Sequence, residues 1–161
     1  MDKIQLPCEI RLPIDVEELL NKSIFEQDDI SEDYLAKYLF YMPEVVRIFD
    51  LAVAAKKEAI KEIDIDIWKL ETVKLPKCES RVLLGISSLD SHKYRNEQMR
   101  RAKIVGDDEY EELMLELLEL KRLKAKHEAD SDEIQAHIWK YRNLSSNLDT
   151  ISKLRISQRR F

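Results

Sequence analysis

From Asp107 to Phe161 the chain contains neither glycine nor proline. Nothing in that final third compels a reversal, and its apolar residues recur at helical spacing. Tyr110, Leu113, Leu117 and Leu120 are followed by Ile134, Ile138, Tyr141, Leu144, Leu148 and Ile151. Steps of three and four place such residues on one face of an α-helix. Asp107 and Asp108 stand just before the run, where carboxylates cap free N–H groups and suit the helix dipole. Arg155, Arg159 and Arg160 close the far end, where cations are favoured.

Length sharpens the expectation. A single helix over 107–157 would be roughly 75 Å long at ~1.5 Å per residue. A compact globule of 161 residues is only about 40 Å across. Either partner chains cover the apolar stripe, or the segment folds back on itself. The weak point is Lys124–Glu133, where the stripe lapses and Asp130-x-x-Glu133 offers a capping box. A turn there would normally recruit Gly, Asn or Pro, so the continuous helix is preferred to a hairpin.

Charged residues make up 37% of the chain and Gly occurs twice, a composition of long solvated helices rather than of a β-sandwich or an α/β enzyme. The expected fold class is all-α: long antiparallel helices in a coiled-coil-like bundle, oligomeric, with a short extended N-terminal arm. No apolar run approaches the ~18 residues of a membrane span. The start, MDKIQLPCEIRLP, lacks the basic and apolar regions of a secretory signal. Cys8 and Cys78 form no CxxC pair, and reduced thiols in a cytoplasmic protein are expected.

Residues 1–30 read as an acidic arm with a short helix at Val16–Lys22, and 31–161 as a helical domain for oligomerisation and nucleic-acid binding. Ser31-Glu32-Asp33 opens a helix over Tyr34–Tyr41, and Pro43 is placed in the first turn of the next. That second helix carries Val46, Phe49, Val53, Ile60, Ile63, Ile67 and Leu70. Ile63-Asp64-Ile65-Asp66-Ile67 also alternates as a strand would, but the helical pattern continues on both sides. Pro76 is expected to end the helix, and 77–95 to form a connecting loop. Asn96 can cap a brief helix through Val105, which Gly106 stops.

Candidates for catalysis are weak. Asp64 and Asp66 diverge by about 200° on a helix and cannot share a small cation. His92, His127 and His137 lack ligand spacing, and Glu133 and His137 suit a surface pair. There is no G-x-S-x-G elbow and no phosphate-cradling G-x-x-x-x-G-K-[ST] loop. The expectation is a non-enzyme with no cofactor and no metal.

The basic residues are more informative. Residues 1–50 hold 5 basic and 12 acidic side chains, whereas 51–105 hold 12 basic and 8 acidic. The basic middle consists of Lys56, Lys57, Lys61, Lys69, Lys74, Lys77, Arg81, Lys93, Arg95, Arg100, Arg101 and Lys103. Clustered cations displace counterions from a phosphate backbone, giving salt-dependent binding without sequence preference. Trp68 and Tyr94 lie among them and could stack on unpaired bases. The plain alternative is a solvated helical face with Trp68 in the core. The acidic 1–50 region favours a different class, a coiled-coil adaptor, chaperone or inhibitor that never touches nucleic acid.

The segment NEQMRRAKIVGDDEYEEL at 96–113 resembles the UvsY-type recombination mediators of phages, with a short capped helix, a polar-acidic junction and a long final helix in that order. Upstream, Tyr34-Leu35-Ala36 and Met42-Pro43-Glu44 enter a helix carrying Lys56, Lys57, Ala59, Ile60 and Lys61, similar to the family's K-K-x-A-[LI]-K surface. Trp139 onward, ending Ile151-Ser152-Lys153-Leu154-Arg155, resembles the closing segment, so the likeness spans roughly 33–158. It differs at Ile63, where a basic residue is expected, and the arm at 1–30 has no counterpart. The resemblance implies an oligomeric all-α ring that binds single-stranded DNA. It further implies loading of a RecA-like recombinase while a single-strand-binding protein is displaced.

Overall fold

A computed structural model describes residues 31–86 and 96–158, and within these every regular element is helical. Helix α1 spans Glu32–Lys69, a π-helical turn follows at Leu70–Lys74, and α2 spans Leu75–Leu84. After the connector come α3, Glu97–Val105, and α4, Asp108–Gln158. The expected arm, the Val16–Lys22 helix and residues 87–95 of the connector lie outside the described residues. None of the described helices is long and apolar enough to cross a membrane.

Helix α4 is uninterrupted for 51 residues, so the Lys124–Glu133 stretch is helical rather than a turn. Its start is fixed locally. Asp107 Oδ1 accepts the Tyr110 N–H at 3.3 Å, and the Asp107 carbonyl accepts that of Glu111 at 3.0 Å. Asp108, Glu109 and Glu111 crowd the first turn and Arg155 the last, both favourable to the dipole. Helix α3 begins as the sequence indicates: Asn96 Oδ1 accepts the Gln98 N–H at 3.0 Å, and Gly106 follows its last turn.

Both prolines among the described residues depart from expectation. Pro43 lies inside α1, which runs unbroken where two helices were anticipated. Its missing N–H leaves the Leu39 carbonyl without an intrahelical partner, at a cost of about 3 kcal/mol. The offset is an apolar face that continues straight through it: Leu35, Tyr38, Met42, Val45, Phe49 and Val53 are all buried. Burying one such side chain contributes roughly 1.5–3 kcal/mol, so the face outweighs the proline.

Pro76 does not terminate the run either, and 77–84 is helix rather than loop. In an unbroken α-helix its ring would meet the Thr72 carbonyl. Instead the Leu75 N–H reaches back five residues to the Leu70 carbonyl, opening a π-turn just ahead of the proline. That turn also keeps the buried face in phase. At α pitch Leu70 and Leu75 would diverge by about 140°. Through the wider turn both are buried in one cluster with Leu117, and Cys78 and Val82 continue the face along α2.

The chain divides into two compact units. The first comprises 1–57 and 129–161, the second 58–128, so α1 and α4 each contribute a segment to both. In the first, Leu35, Tyr38, Met42, Val45, Phe49 and Val53 of α1 pack with Ile134, Ile138, Tyr141 and Leu148 of α4. Phe49 and Tyr141 stack with ring centroids 5.4 Å apart, and His137 stacks on both rather than serving as a surface partner for Glu133. In the second, Leu70, Leu75 and Leu117 form a smaller core, with Ile67, Tyr110, Leu113 and Leu120 against it. The stripe expected on α4 is therefore the face that is buried.

Candidate nucleic-acid interface

In the first unit, Lys56 is half-buried and its Nζ lies 2.8 Å from Asp130 Oδ2. That pair commits the lysine to the protein. Lys57 is exposed and has no ion pair among the described residues. A cleft of about 250 Å³ in the same unit is floored by Leu35 and Leu39 and edged by Glu32, Ser152 and Arg155.

The second unit holds most of the other cations. Lys61 pairs with Glu58 at 3.5 Å, Lys69 with Asp66 at 2.9 Å and Lys74 with Glu116 at 3.3 Å. Arg101 pairs with Glu97 at 2.8 Å. Lys77 and Lys103 are exposed and carry no ion pair among the described residues, and Arg100 is exposed on α3. Lys93, Arg95 and Tyr94 lie outside the described residues. Trp68 is 60% exposed on α1, so of its two sequence readings the one that placed it in the core does not hold.

Arg81 is the most elaborately held. Its guanidinium contacts Asp107 at 2.6 Å and Glu109 at 2.8 Å, with Cys78 Sγ 3.7 Å away. Cys78, Asp107 and Glu109 bring ligand-type atoms within 4.8 Å of one another. Here the guanidinium supplies the positive charge the carboxylates need. Burial pushes the Cys78 thiol up from its ordinary value, against the Arg81 hydrogen bond. The cluster thus joins α2 to the start of α4 as an ion-pair clasp. Sequence reasoning missed it because Cys78 and Asp107 are 29 residues apart.

Asp64 and Asp66 go to different lysines: Asp64 to Lys124 at 2.7 Å, Asp66 to Lys69. The Asp64 carboxylate raises the Lys124 ammonium above its usual range. Lys121 likewise reaches Glu71 at 2.7 Å. These α4 cations escaped the sequence reading, which weighed local charge excess, and around them acids predominate.

What the arrangement can do is bind anions weakly at many points. Exposed ion pairs are worth only about 0–1 kcal/mol each. An incoming polyanion can therefore exchange for the carboxylate partners of Lys69, Lys74 or Arg101 with little loss. Compared with known proteins, the chain matches no family model, no curated protein and no solved structure.

Proposed function

We propose that the protein is a non-enzymatic recombination mediator of the phage type. A helical homo-oligomer holds single-stranded DNA and presents it to a RecA-like recombinase while a single-strand-binding protein is displaced. The second unit carries the strand on Lys61, Lys69, Lys74, Lys77, Arg81, Arg100, Arg101 and Lys103. The supporting observation is the solvent exposure of these cations together with that of Trp68, which offers a stacking face on the same unit. Lys56 is withdrawn from this role by its half-buried pair with Asp130.

The pairings favour antiparallel helices. Along α1, Asp50 and Lys56 meet Arg142 and Asp130, so partner numbers fall as their own rise. In the second unit Asp64, Glu71 and Lys74 meet Lys124, Lys121 and Glu116 in the same sense.

Fluorescence anisotropy with a labelled oligonucleotide tests the reading. Binding is expected at low salt and should fall steeply between 50 and 200 mM, by on the order of 10³–10⁵ if six to ten phosphates are engaged. A Lys74→Ala, Lys77→Ala, Lys103→Ala variant should bind more weakly with a shallower salt slope. No binding at micromolar protein would overturn the proposal.

One observation favours a second reading, a helical adaptor that binds protein only. Many of the cations already face carboxylates, while Phe40, Leu84 and Trp139 are more than two-thirds exposed, at 77%, 86% and 70%. Oligonucleotide-independent capture of one defined protein, with no anisotropy change, would select it.

A further inference from the structure

Within the first unit, α1 carries apolar residues on two opposite sides, the second of them interrupted by Arg47. One carries the buried residues from Leu35 to Val53. The other presents Ala36, Phe40, Pro43, Leu51 and Ala54, every one exposed, with Phe40 at 77% and Leu51 at 57%. Their spacing of three, four or multiples of these keeps them on a single stripe. A helix apolar on both sides belongs between two partners, and the described residues supply only one. The Phe40 ring stands perpendicular to that of adjacent Tyr41, centroids 5.2 Å apart, and remains largely exposed.

Part of this face is also self-complementary. Three pairs of positions on it are symmetric about the peptide joining Val45 to Val46. Phe40 stands as far before that point as Leu51 stands after it, and Ala36 mirrors Ala55. Glu44 mirrors Arg47, whose guanidinium already grips it through two bonds of 2.6 and 2.8 Å. Laid antiparallel on another copy, Phe40 meets Leu51 and Ala36 meets Ala55, while Ala54 lies against Lys37 and Pro43 against Ile48. Each Glu44 then faces the other copy's Arg47, closing a ring of four alternating charges. A surface that matches itself under a two-fold axis is what an isologous dimer requires.

We infer that this face of α1 is the seam between two copies of the chain, packed antiparallel with Phe40 against Leu51 and Glu44 against Arg47. The inference rests on the self-association in the proposed function and names the face that carries it; it does not depend on DNA binding.

Charge reversal tests it on the full chain. Glu44→Arg and Arg47→Glu each place like charges across the axis and should raise the dissociation constant of self-association roughly tenfold or more. Mixed in equal amounts, the two variants restore opposite charges and should recover the parental mass by light scattering. Phe40→Asp should dissociate the assembly by itself, with helicity by circular dichroism unchanged because the side chain is exposed. Three results would each overturn the seam: a monomeric parent at high micromolar concentration, variants with the parental mass, or weakened variants that fail to recover on mixing. Anisotropy with the oligonucleotide on the same samples judges DNA binding separately, so either idea can fail alone.

Discussion

Lys56 and Asp130 stand 74 residues apart in the chain, yet their charged atoms lie 2.8 Å apart in a half-buried setting. This converts a residue of the sequence's most basic-looking helix face into a fastener between α1 and α4. Replacing Lys56 by Met leaves Asp130 partly buried without that partner, and should cost roughly 1–3 kcal/mol in urea unfolding. A double-mutant cycle with Asp130→Asn should show positive coupling. The same Lys56 variant should lose less oligonucleotide affinity than Lys77→Ala or Lys103→Ala, because only the latter remove unpaired surface charge.

Pro43 is exposed within α1, and its neighbours on the buried face hold the helix around it. Pro43→Ala restores an N–H donor to the Leu39 carbonyl. It should stabilise the chain by about 1–3 kcal/mol, read as a raised urea midpoint with unchanged slope. A loss of stability instead would mean that Pro43 is required for the geometry of the helix.

The Tyr141 hydroxyl is buried and has no hydrogen-bond partner among the described residues. Removing it should be neutral or stabilising, by up to about 1 kcal/mol in Tyr141→Phe, since the desolvated oxygen goes and the ring packing against Phe49 remains. A clear destabilisation would reveal a partner for the oxygen.

Burial raises the phenols of both Tyr38 and Tyr141 above their ordinary value, and Tyr38 is raised further by Tyr141 beside it. The folded state thus favours their protonated forms. That contribution is complete below pH ~10, where an unfolded tyrosine begins to ionise, and is lost as pH rises beyond it. Absorbance at 295 nm should show these two tyrosines titrating late and together with unfolding.

Asp107 serves three partners, the Tyr110 N–H, the Arg81 guanidinium and the Cys78 thiol. Asp107→Ala should cost roughly 0.5–2 kcal/mol through the lost cap. Asn at this position should recover the cap portion but not the part owed to Arg81, a separation that thermal denaturation of the two variants can measure.

Local chemistry was readable from the residues, and pairings across the fold were not. Helix α4 could be foreseen because 107–161 lacks every breaker, and α3 because Asn96 and Gly106 bracket it. The two prolines misled for opposite reasons. At Pro43 the buried face overrode a local penalty. At Pro76 a five-residue hydrogen-bond step absorbed the ring, and no propensity registers such a step. The basic tract was legible as composition, but which lysines meet carboxylates depends on where Asp130, Glu116 and Asp107 arrive in three dimensions. Trp68 was left open between a base-stacking surface and the core, and only the packing places it on the surface.

The two long helices each contribute residues to both compact units, so the dividing line falls within helical segments of the sequence. Trimming the gene at either crossing would produce pieces with raw helix ends, each stripped of backbone partners. Melting that begins on one side has a continuous track along which to spread. For this chain the smallest heritable piece with intact helices is the pair of units together.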